Sequence, residues 1–160
     1  MKKKVLISIL TFSVLTLLVV FNPNQAQAEA SKSGKVIKID KVIKGKYGKV
    51  VDFTYTDGGK EHSFSELTKG KSIFLNVWGT WCGPCRREIP EIVEISKDLK
   101  DKDFIVVGVS YEKRLPMDQA IDRVKGFAKS NNIPYINFVV SPELLGGFGN
   151  INGFPTTFIV

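Results

Sequence analysis

Histidine and cysteine are scarce in this chain, which has one histidine (His62) and two cysteines (Cys82 and Cys85). A structural zinc ion usually has four ligands in a tetrahedral array, so these three side chains cannot complete a zinc site within one chain. A zinc site shared between two chains stays open as an alternative. We therefore expect no bound metal or cofactor.

An arginine-rich stripe with interleaved aromatic residues is also absent, and such a stripe is typical of nucleic-acid binding proteins. The formal net charge of +7 includes Lys2, Lys3 and Lys4 at the N-terminus. Without these three lysines the remaining excess of positive charge is mild, as expected of a solvated surface. We expect no nucleic-acid partner.

The first 28 residues have the pattern of an export signal. The three lysines are followed by an uncharged apolar run from Val5 to Phe21 and then by Ala26-Gln27-Ala28, the small-x-small form of a signal-peptidase site. We predict a signal peptide over 1–28, cleaved after Ala28; an uncleaved membrane anchor is the alternative, because the run approaches the ~20 residues that span a bilayer. Either way, the domain is predicted to work in the periplasm or on the outer face of the cytoplasmic membrane.

The rest of the chain predicts one α/β domain over 36–160, preceded by a short tether at 29–35. A strand-rich segment before the "TDGGK" turn signal at 56–60 predicts an N-terminal hairpin, and Ser63 and Glu66 have capping-box spacing. Apolar runs predict buried strands that alternate with helices over 82–100 and 117–130, which favours a sheet with helices on both faces. The predicted core strands are 73–78, 104–109, 135–140 and 155–160.

The two cysteines lie three residues apart in "WCGPC", and three interpretations compete. A metal half-site is disfavoured by the lack of ligands. A structural disulfide is disfavoured because closing so short a loop removes little entropy from the unfolded chain. A redox-active pair fits best, since Cys82 is predicted at the N-terminus of a helix, where free N–H groups and the helix dipole stabilise a thiolate. Cys82 is then the nucleophile and Cys85 the resolving thiol.

The neighbours of the pair suggest supporting roles. Gly83 permits close approach of a substrate backbone and Pro84 suits a first helical turn, while Trp81 is predicted to form a flat apolar docking surface beside the thiol. Glu88 follows Cys85 by one helical turn. It is either a proton acceptor that tunes the pair or an ordinary surface carboxylate.

The stretches "FLNVWGTWCGPCRREIP" at 74–90 and "GFPTTFIV" at 153–160 resemble the thioredoxin superfamily, and more closely its exported TlpA/ResA-like thiol–disulfide oxidoreductases. The resemblance implies a thioredoxin-like fold with a mixed central sheet and an inserted helix–strand unit at 117–140. It also implies that the C-terminal strand and helix of the family are missing here, which predicts a C-terminally incomplete domain.

The resemblance implies several site residues and partners. Pro155 matches the family's cis-proline and Phe154, before it, would influence substrate choice. Asn76 occupies the place of a buried aspartate in cytoplasmic thioredoxins, which makes Glu88 the better candidate for proton handling. The implied activity is reduction of protein disulfides, with apocytochrome c as the usual substrate of the subgroup and a membrane thiol–disulfide protein as electron donor.

Two alternative functions remain open at this point. One is a general extracytoplasmic disulfide reductase or isomerase. The other is a copper-binding chaperone module on the same fold, which is disfavoured because such modules use a wider cysteine spacing and a distal histidine, whereas 86–160 contains no histidine. The Gly-Pro pair between the cysteines is that of thioredoxin, whose potential of about −270 mV marks it as a reductant.

Overall fold

The computed structural model describes residues 34–45, 50–149 and 151–160. The predicted signal or anchor at 1–28 and the first part of the tether lie outside these ranges. Within them, no helix is long and apolar enough to cross a membrane. The strands are β1 (Val36–Lys44), β2 (Val50–Asp57), β3 (Lys60–Ser63), β4 (Ser72–Trp78), β5 (Phe104–Ser110), β6 (Ile136–Val139) and β7 (Thr156–Ile159). The helices are α1 (Phe64–Leu67), α2 (Gly83–Asp98), α3 (Met117–Ser130) and α4 (Pro142–Leu145), followed by a 3₁₀ turn at Gly146–Phe148.

The seven strands form one sheet in the order β3-β2-β1-β6-β5-β4-β7. The pairs β1–β6, β6–β5 and β5–β4 are parallel, whereas β1–β2, β2–β3 and β4–β7 are antiparallel. The predicted mixed sheet is therefore confirmed. The four predicted core strands are β4 to β7, and they lie side by side.

The N-terminal arm forms the hairpin that the turn signal predicts. Gly58 and Gly59 have φ angles of 60° and 78°, which the preferred two-residue hairpin turn requires at both positions. Ser63 caps α1 and exchanges hydrogen bonds with Glu66, so the capping box is also confirmed. β1 adds a third strand and joins the hairpin to the central sheet through β6.

The last two residues of the predicted tether already contact the domain. The Gly34 N–H donates to the Ile133 carbonyl at 2.8 Å, and the Asn137 N–H donates to the Lys35 carbonyl at 2.8 Å. A Cβ on Gly34 would lie 1.8 Å from the Tyr135 carbonyl oxygen, which only glycine avoids. Gly34 and Lys35 thus already bind the segment around β6 before β1 begins.

The inserted helix–strand unit is α3 followed by β6. Ala120, Val124 and Ala128 are buried on one stripe of α3, as its apolar period predicts, and Phe127 packs against Trp78 with ring centroids 5.4 Å apart. The unit places β6 between β1 and β5. It therefore widens the sheet and covers one of its faces.

The two faces of the sheet bury different side chains. One face packs against α2 and α3 through a cluster that includes both cysteines, Trp78 and aliphatic residues. The other face is rich in aromatic rings, where Phe53 stacks on Phe64 at 4.5 Å and meets Phe138 edge-on at 4.9 Å. The redox motif thus lies over the helical face.

A buried polar contact crosses the three central strands beneath the site. The Trp78 indole N–H on β4 donates to Asn137 Oδ1 on β6 at 3.1 Å. Gly108 on β5 makes room for this contact, since a Cβ there would lie 2.0 Å from the same oxygen. Asn137 also donates to the Tyr135 carbonyl at 3.1 Å, so its amide is fixed at both ends.

Candidate active site

The cysteine pair lies where β4 ends and α2 begins, as predicted. Cys82 is the N-cap of α2, and its Sγ accepts a hydrogen bond from the Cys85 N–H at 3.2 Å. The two residues are joined by a disulfide with their Cα atoms 5.3 Å apart. Cys85 is fully buried, whereas Cys82 retains 4% exposure. An incoming sulfur atom therefore reaches Cys82 more easily than Cys85.

Local sequence explains why α2 starts at this point. Gly83 and Pro84 are the first two residues of α2, and proline in the first turn has no N–H to leave unpaired. The Arg86 N–H donates to the Cys82 carbonyl at 3.1 Å, which closes the first turn. The Cys82 sulfur atom thus lies at the positive end of the helix, where it accepts the Cys85 N–H. This position would stabilise the thiolate that forms when the disulfide is reduced.

Trp81 forms an aromatic surface next to Cys82. Its indole N–H donates to the Tyr111 carbonyl at 2.8 Å, while 38% of the residue remains exposed. Phe154 meets the indole edge-on with ring centroids 5.2 Å apart, and Tyr111 stacks on Phe154 at 6.0 Å. The structure thus brings the predicted docking residues Trp81 and Phe154 into direct contact.

The Phe154–Pro155 peptide bond is cis, as the resemblance implies. Phe154 packs against the cluster that contains both cysteines. Thr156, the next residue after Pro155, pairs with Val77 near the end of β4. Pro155 therefore enters β7 beside the strand that leads to Cys82.

Glu88 is half-buried on α2 and faces the sheet. Its Oε1 accepts a hydrogen bond from Asn76 Nδ2 at 2.8 Å, and the same amide donates to Thr157 Oγ1 at 3.2 Å. Asn76 Oδ1 is buried and accepts no hydrogen bond from the described residues. Burial and, second to it, the negative charge of Glu88 raise the pKa of Tyr135. Glu88 is therefore no ordinary surface carboxylate.

Glu112 contributes to the site although the sequence analysis did not single it out. It is 5% exposed and accepts three hydrogen bonds: from Thr80 N–H at 2.8 Å, from Thr80 Oγ1 at 2.6 Å and from Ser110 Oγ at 3.0 Å. The Tyr111 N–H also donates to the Trp78 carbonyl at 2.9 Å. The loop after β5 thus holds the loop that carries Trp81 and Cys82. No signal in "SYEK" marks Glu112, since a glutamate after a strand is normally exposed.

Gly79 explains why these two loops approach so closely. A Cβ at this position would lie 2.5 Å from the Trp81 Nε1 atom and 2.7 Å from the Tyr111 carbonyl oxygen. Real side chains do not tolerate such distances, so only glycine lets the indole reach the carbonyl. The orientation of Trp81 depends on this missing methyl group.

Two features lie away from the cysteines. His62 is half-buried on β3, and its ring stacks on Tyr55 with centroids 5.5 Å apart. Among the described residues, no group of three His, Cys, Asp or Glu side chains could hold a metal ion. A depression of about 580 Å³ lies at the opposite end of the sheet, where β5 and β6 begin; its lining includes Lys71, Lys97 and Tyr135. Neither feature belongs to the cysteine site.

Comparisons with known proteins agree with this geometry. The Redoxin family profile matches residues 26–143. The thioredoxin-like protein YneN of Bacillus subtilis (strain 168) is 29% identical over 109 residues, which cover 68% of this chain and 61% of YneN. A thiol-disulfide oxidoreductase ResA of Bacillus cereus is 31% identical over 110 residues, which cover 68% of this chain and 60% of ResA.

Solved structures show the same fold. The thiol:disulfide interchange protein of Chlorobium tepidum TLS, a thioredoxin family protein, superposes with a TM-score of 0.56 at 33% identity, covering 68% of this chain and 74% of that one. The matched region spans about 60% of the length of the curated relatives YneN and ResA. With the family profile covering most of its length and the cysteine pair in place, this chain belongs to the Redoxin family and has a thioredoxin-like fold.

Proposed function

We propose that this protein is a thiol–disulfide oxidoreductase that reduces protein disulfides through Cys82 and Cys85. One observation carries the proposal: the two cysteines form a disulfide at the N-terminus of α2, with Cys82 as the N-cap. The relatives named thiol-disulfide oxidoreductase support the same activity.

The proposed reaction has two thiol–disulfide exchanges. The Cys82 thiolate attacks a substrate disulfide, which forms a mixed disulfide and releases one substrate sulfur as a thiolate. Cys85, as a thiolate, then attacks the Cys82 sulfur and releases the second substrate thiolate. The substrate gains two electrons and the enzyme is left with the Cys82–Cys85 disulfide. A membrane thiol–disulfide protein is proposed to supply two electrons that restore the dithiol.

Aromatic and backbone groups would bind the substrate during these steps. Trp81 and Phe154 form an apolar contact surface beside Cys82, and Gly83 and Pro84 are exposed and leave room for a substrate backbone. Pro155 enters β7 at the same edge and is proposed to present its backbone to the substrate strand. The contact between Trp81 and Phe154 and the exposure of Gly83 and Pro84 support these roles, and the role of Pro155 rests on the family resemblance.

Apocytochrome c is the substrate that the resemblance favours, and the place of action is proposed to be outside the cytoplasmic membrane. The predicted export signal supports this location. So does the likeness to the exposed lipoprotein thioredoxin of Streptococcus pneumoniae, which superposes with a TM-score of 0.52 at 26% identity over 69% of this chain. A general extracytoplasmic disulfide reductase is the alternative, and the substrate captured in the cell separates the two.

Variants of the two cysteines test the proposal. Cys82→Ser is expected to abolish reduction of insulin disulfides, because it removes the attacking sulfur. Cys85→Ser is expected to retain the first exchange and to accumulate mixed disulfides, since the resolving sulfur is gone. Both are measured by insulin turbidity and by non-reducing gels of the full chain, with Ser65→Ala as the matched control. Full insulin reduction by Cys82→Ser would contradict the mechanism.

Glu88 is proposed to accept and return the proton of the buried thiol Cys85. Glu88→Gln keeps the side-chain shape but removes the basic carboxylate, so the pH dependence of thiol alkylation should shift and the second exchange should slow. Glu91→Gln, an exposed neighbour on the same helix, is the matched control. An alkylation profile of Glu88→Gln identical to that of the wild type would return Glu88 to a purely structural role.

A further inference from the structure

Exposed cations predominate in the segments around Cys82. Three segments surround the disulfide, at 79–87, 111–116 and 151–157. Their charged residues are four exposed cations and one carboxylate, Glu112, which is buried and turned inward onto Thr80. The exposed cations are Arg86, Arg87, Lys113 and Arg114. We call these four residues the cationic rim.

Two members of the cationic rim lie against residues that flank Cys82 in the sequence. Lys113 Nζ lies 3.7 Å from the centroid of the Trp81 ring, a cation–π contact that keeps the ammonium group beside the docking surface. Arg87 lies along the first turn of α2, where its Nη1 atom would be 3.7 Å from a Cβ placed on Gly83. The charges therefore border the place where a substrate must lie.

The rim cations have no carboxylate partners within the described ranges. The ion pairs there join Lys35 to Asp57, Lys38 to Asp40 and Lys97 to Glu94, and all three lie away from the cysteines. The positive end of the α2 dipole adds to the same field. A cleft border with one sign of charge attracts partners of the opposite sign and repels those of like sign.

The backbone of Arg114 has an unusual conformation. Its φ angle is 59°, in the left-handed region that glycine occupies freely and that other residues rarely adopt. A glycine would suit this backbone better than an arginine does. The side chain of Arg114 is thus kept at a conformational cost, in the loop that faces the site.

We propose that the cationic rim selects protein substrates whose reactive cysteines are flanked by aspartate or glutamate. This inference rests on the proposed function and names the substrate class of the same site. The target is an extended segment with an apolar residue against Trp81 and acidic residues toward Lys113, Arg114 and Arg87. Segments with lysine or arginine at the same positions are repelled.

Three synthetic peptides test the inference with the full chain. Each contains the same intramolecular disulfide, and the flanking residues are acidic, neutral or basic. We expect kcat/KM for the acidic peptide to exceed that for the basic peptide about tenfold at low salt. The ratio should fall toward one at about 0.5 M NaCl, because ions at that concentration screen exposed charges over a few ångströms.

Variants of the rim assign the effect to its residues. Arg114→Gly removes a charge and also relieves the backbone, so a lost preference cannot be blamed on poor folding. Lys113→Met keeps an unbranched chain on Trp81 without the charge. Together they should lower the acidic-to-neutral ratio of kcat/KM toward one, with the remainder due to Arg86 and Arg87. Lys100→Met, at the far end of the sheet, is the matched control and should keep the wild-type ratio.

The outcomes separate this inference from the proposed function. Equal kcat/KM for the three peptides would overturn the inference and leave the disulfide reductase standing. A wild-type preference that survives in the Lys113→Met/Arg114→Gly double variant would also overturn it. Failure to reduce any of the peptides would contradict the proposed function, and the inference with it.

Discussion

The polar contacts of the N-terminal hairpin and of the cysteine site join residues that are separated by different lengths of sequence. In the hairpin, Ser63 and Glu66 are three residues apart and Ser65 binds Asp52 thirteen residues away. At the site, Thr80 binds Glu112 across 32 residues and Asn76 binds Thr157 across 81. The polar side-chain contacts of the hairpin therefore stay within its own segment, although its aromatic rings pack against Phe138 of β6. The site exists only when distant segments of the chain have come together.

This difference separates stability from activity. The hairpin supplies the aromatic face of the core through Phe53 and Tyr55, whereas both cysteines belong to the cluster on the other face. The loops at the site fix the orientation of Trp81 through the contacts of Thr80, Glu112 and the Tyr111 carbonyl. Damage to the hairpin should thus lower stability, whereas damage to the loops should lower the rate of disulfide exchange.

Phe53→Ala is the largest expected effect on stability. Phe53 is 1% exposed and contacts Phe64 and Phe138, and loss of a buried phenylalanine costs about 3–5 kcal/mol. The free energy of unfolding, measured by urea denaturation, should fall by this amount. The folded fraction should still reduce insulin at the wild-type rate. A loss of unfolding free energy below about 1 kcal/mol would contradict the view that the hairpin carries much of the stability.

Glu112→Ala should affect both stability and rate. It leaves the Thr80 N–H without its partner, which costs about 1–3 kcal/mol when the group is buried. The loop that carries Trp81 is then less well held, so KM for insulin should rise several-fold. Denaturation and insulin kinetics measure the two effects.

Ser63→Ala is the matched control in the hairpin. It removes the cap of α1 at a cost of about 1 kcal/mol and should leave KM unchanged, because the Ser63 hydroxyl contacts only Ser65 and Glu66 at the start of α1. If Ser63→Ala and Glu112→Ala changed KM for insulin equally, the hairpin and the site would not be separate in function. If Glu112→Ala changed stability alone, the contact between the two loops would serve folding only.

Tyr135→Phe should have the smallest effect on the free energy of unfolding, and it should have that effect only at high pH. Burial and then the charge of Glu88 raise the pKa of Tyr135 above its usual value of about 10. A raised pKa means that the neutral phenol stabilises the fold below pH ~10 and that this contribution is lost as the pH rises further. The fall in stability as the pH rises above about 10, toward the raised pKa of Tyr135, should therefore be less steep in Tyr135→Phe.

Tyr55→Phe is the comparison variant for this effect, since burial and then Asp57 also raise the pKa of Tyr55. Tyr55 lies in the hairpin, and Tyr135 lies near Glu88. If only Tyr55→Phe flattened the pH dependence, the alkaline sensitivity would belong to the hairpin. Urea midpoints at each pH measure both variants, and the lysines that titrate in the same range cancel in the comparison.

Local patterns were enough to predict much of the fold. The two glycines at 58–59, the Ser63–Glu66 pair and the apolar period of α3 are each confined to one segment, and each was confirmed. Gly83 and Pro84, as first-turn residues, likewise located the start of α2. In each case the physical cause acts between near neighbours in the sequence, so the pattern is visible there.

Contacts between distant segments could not be predicted in the same way. Glu112 looks like any exposed glutamate until β4 and β5 are paired and Thr80 is brought opposite to it. The cis bond before Pro155 came from the family resemblance, because the residues around it do not require one. Asn137 and Thr157 also gave no signal, since their partners are 59 and 81 residues away.

The buried triplet of Trp78, Gly108 and Asn137 has a consequence for how related sequences diverge. A side chain at 108 would push Asn137 Oδ1 away and leave the indole N–H of Trp78 without an acceptor. Change at any one of the three positions is therefore harmful unless the others change with it. Across related proteins these three positions should be inherited as a set, and a glycine lost from the middle strand should coincide with loss of the tryptophan or the asparagine.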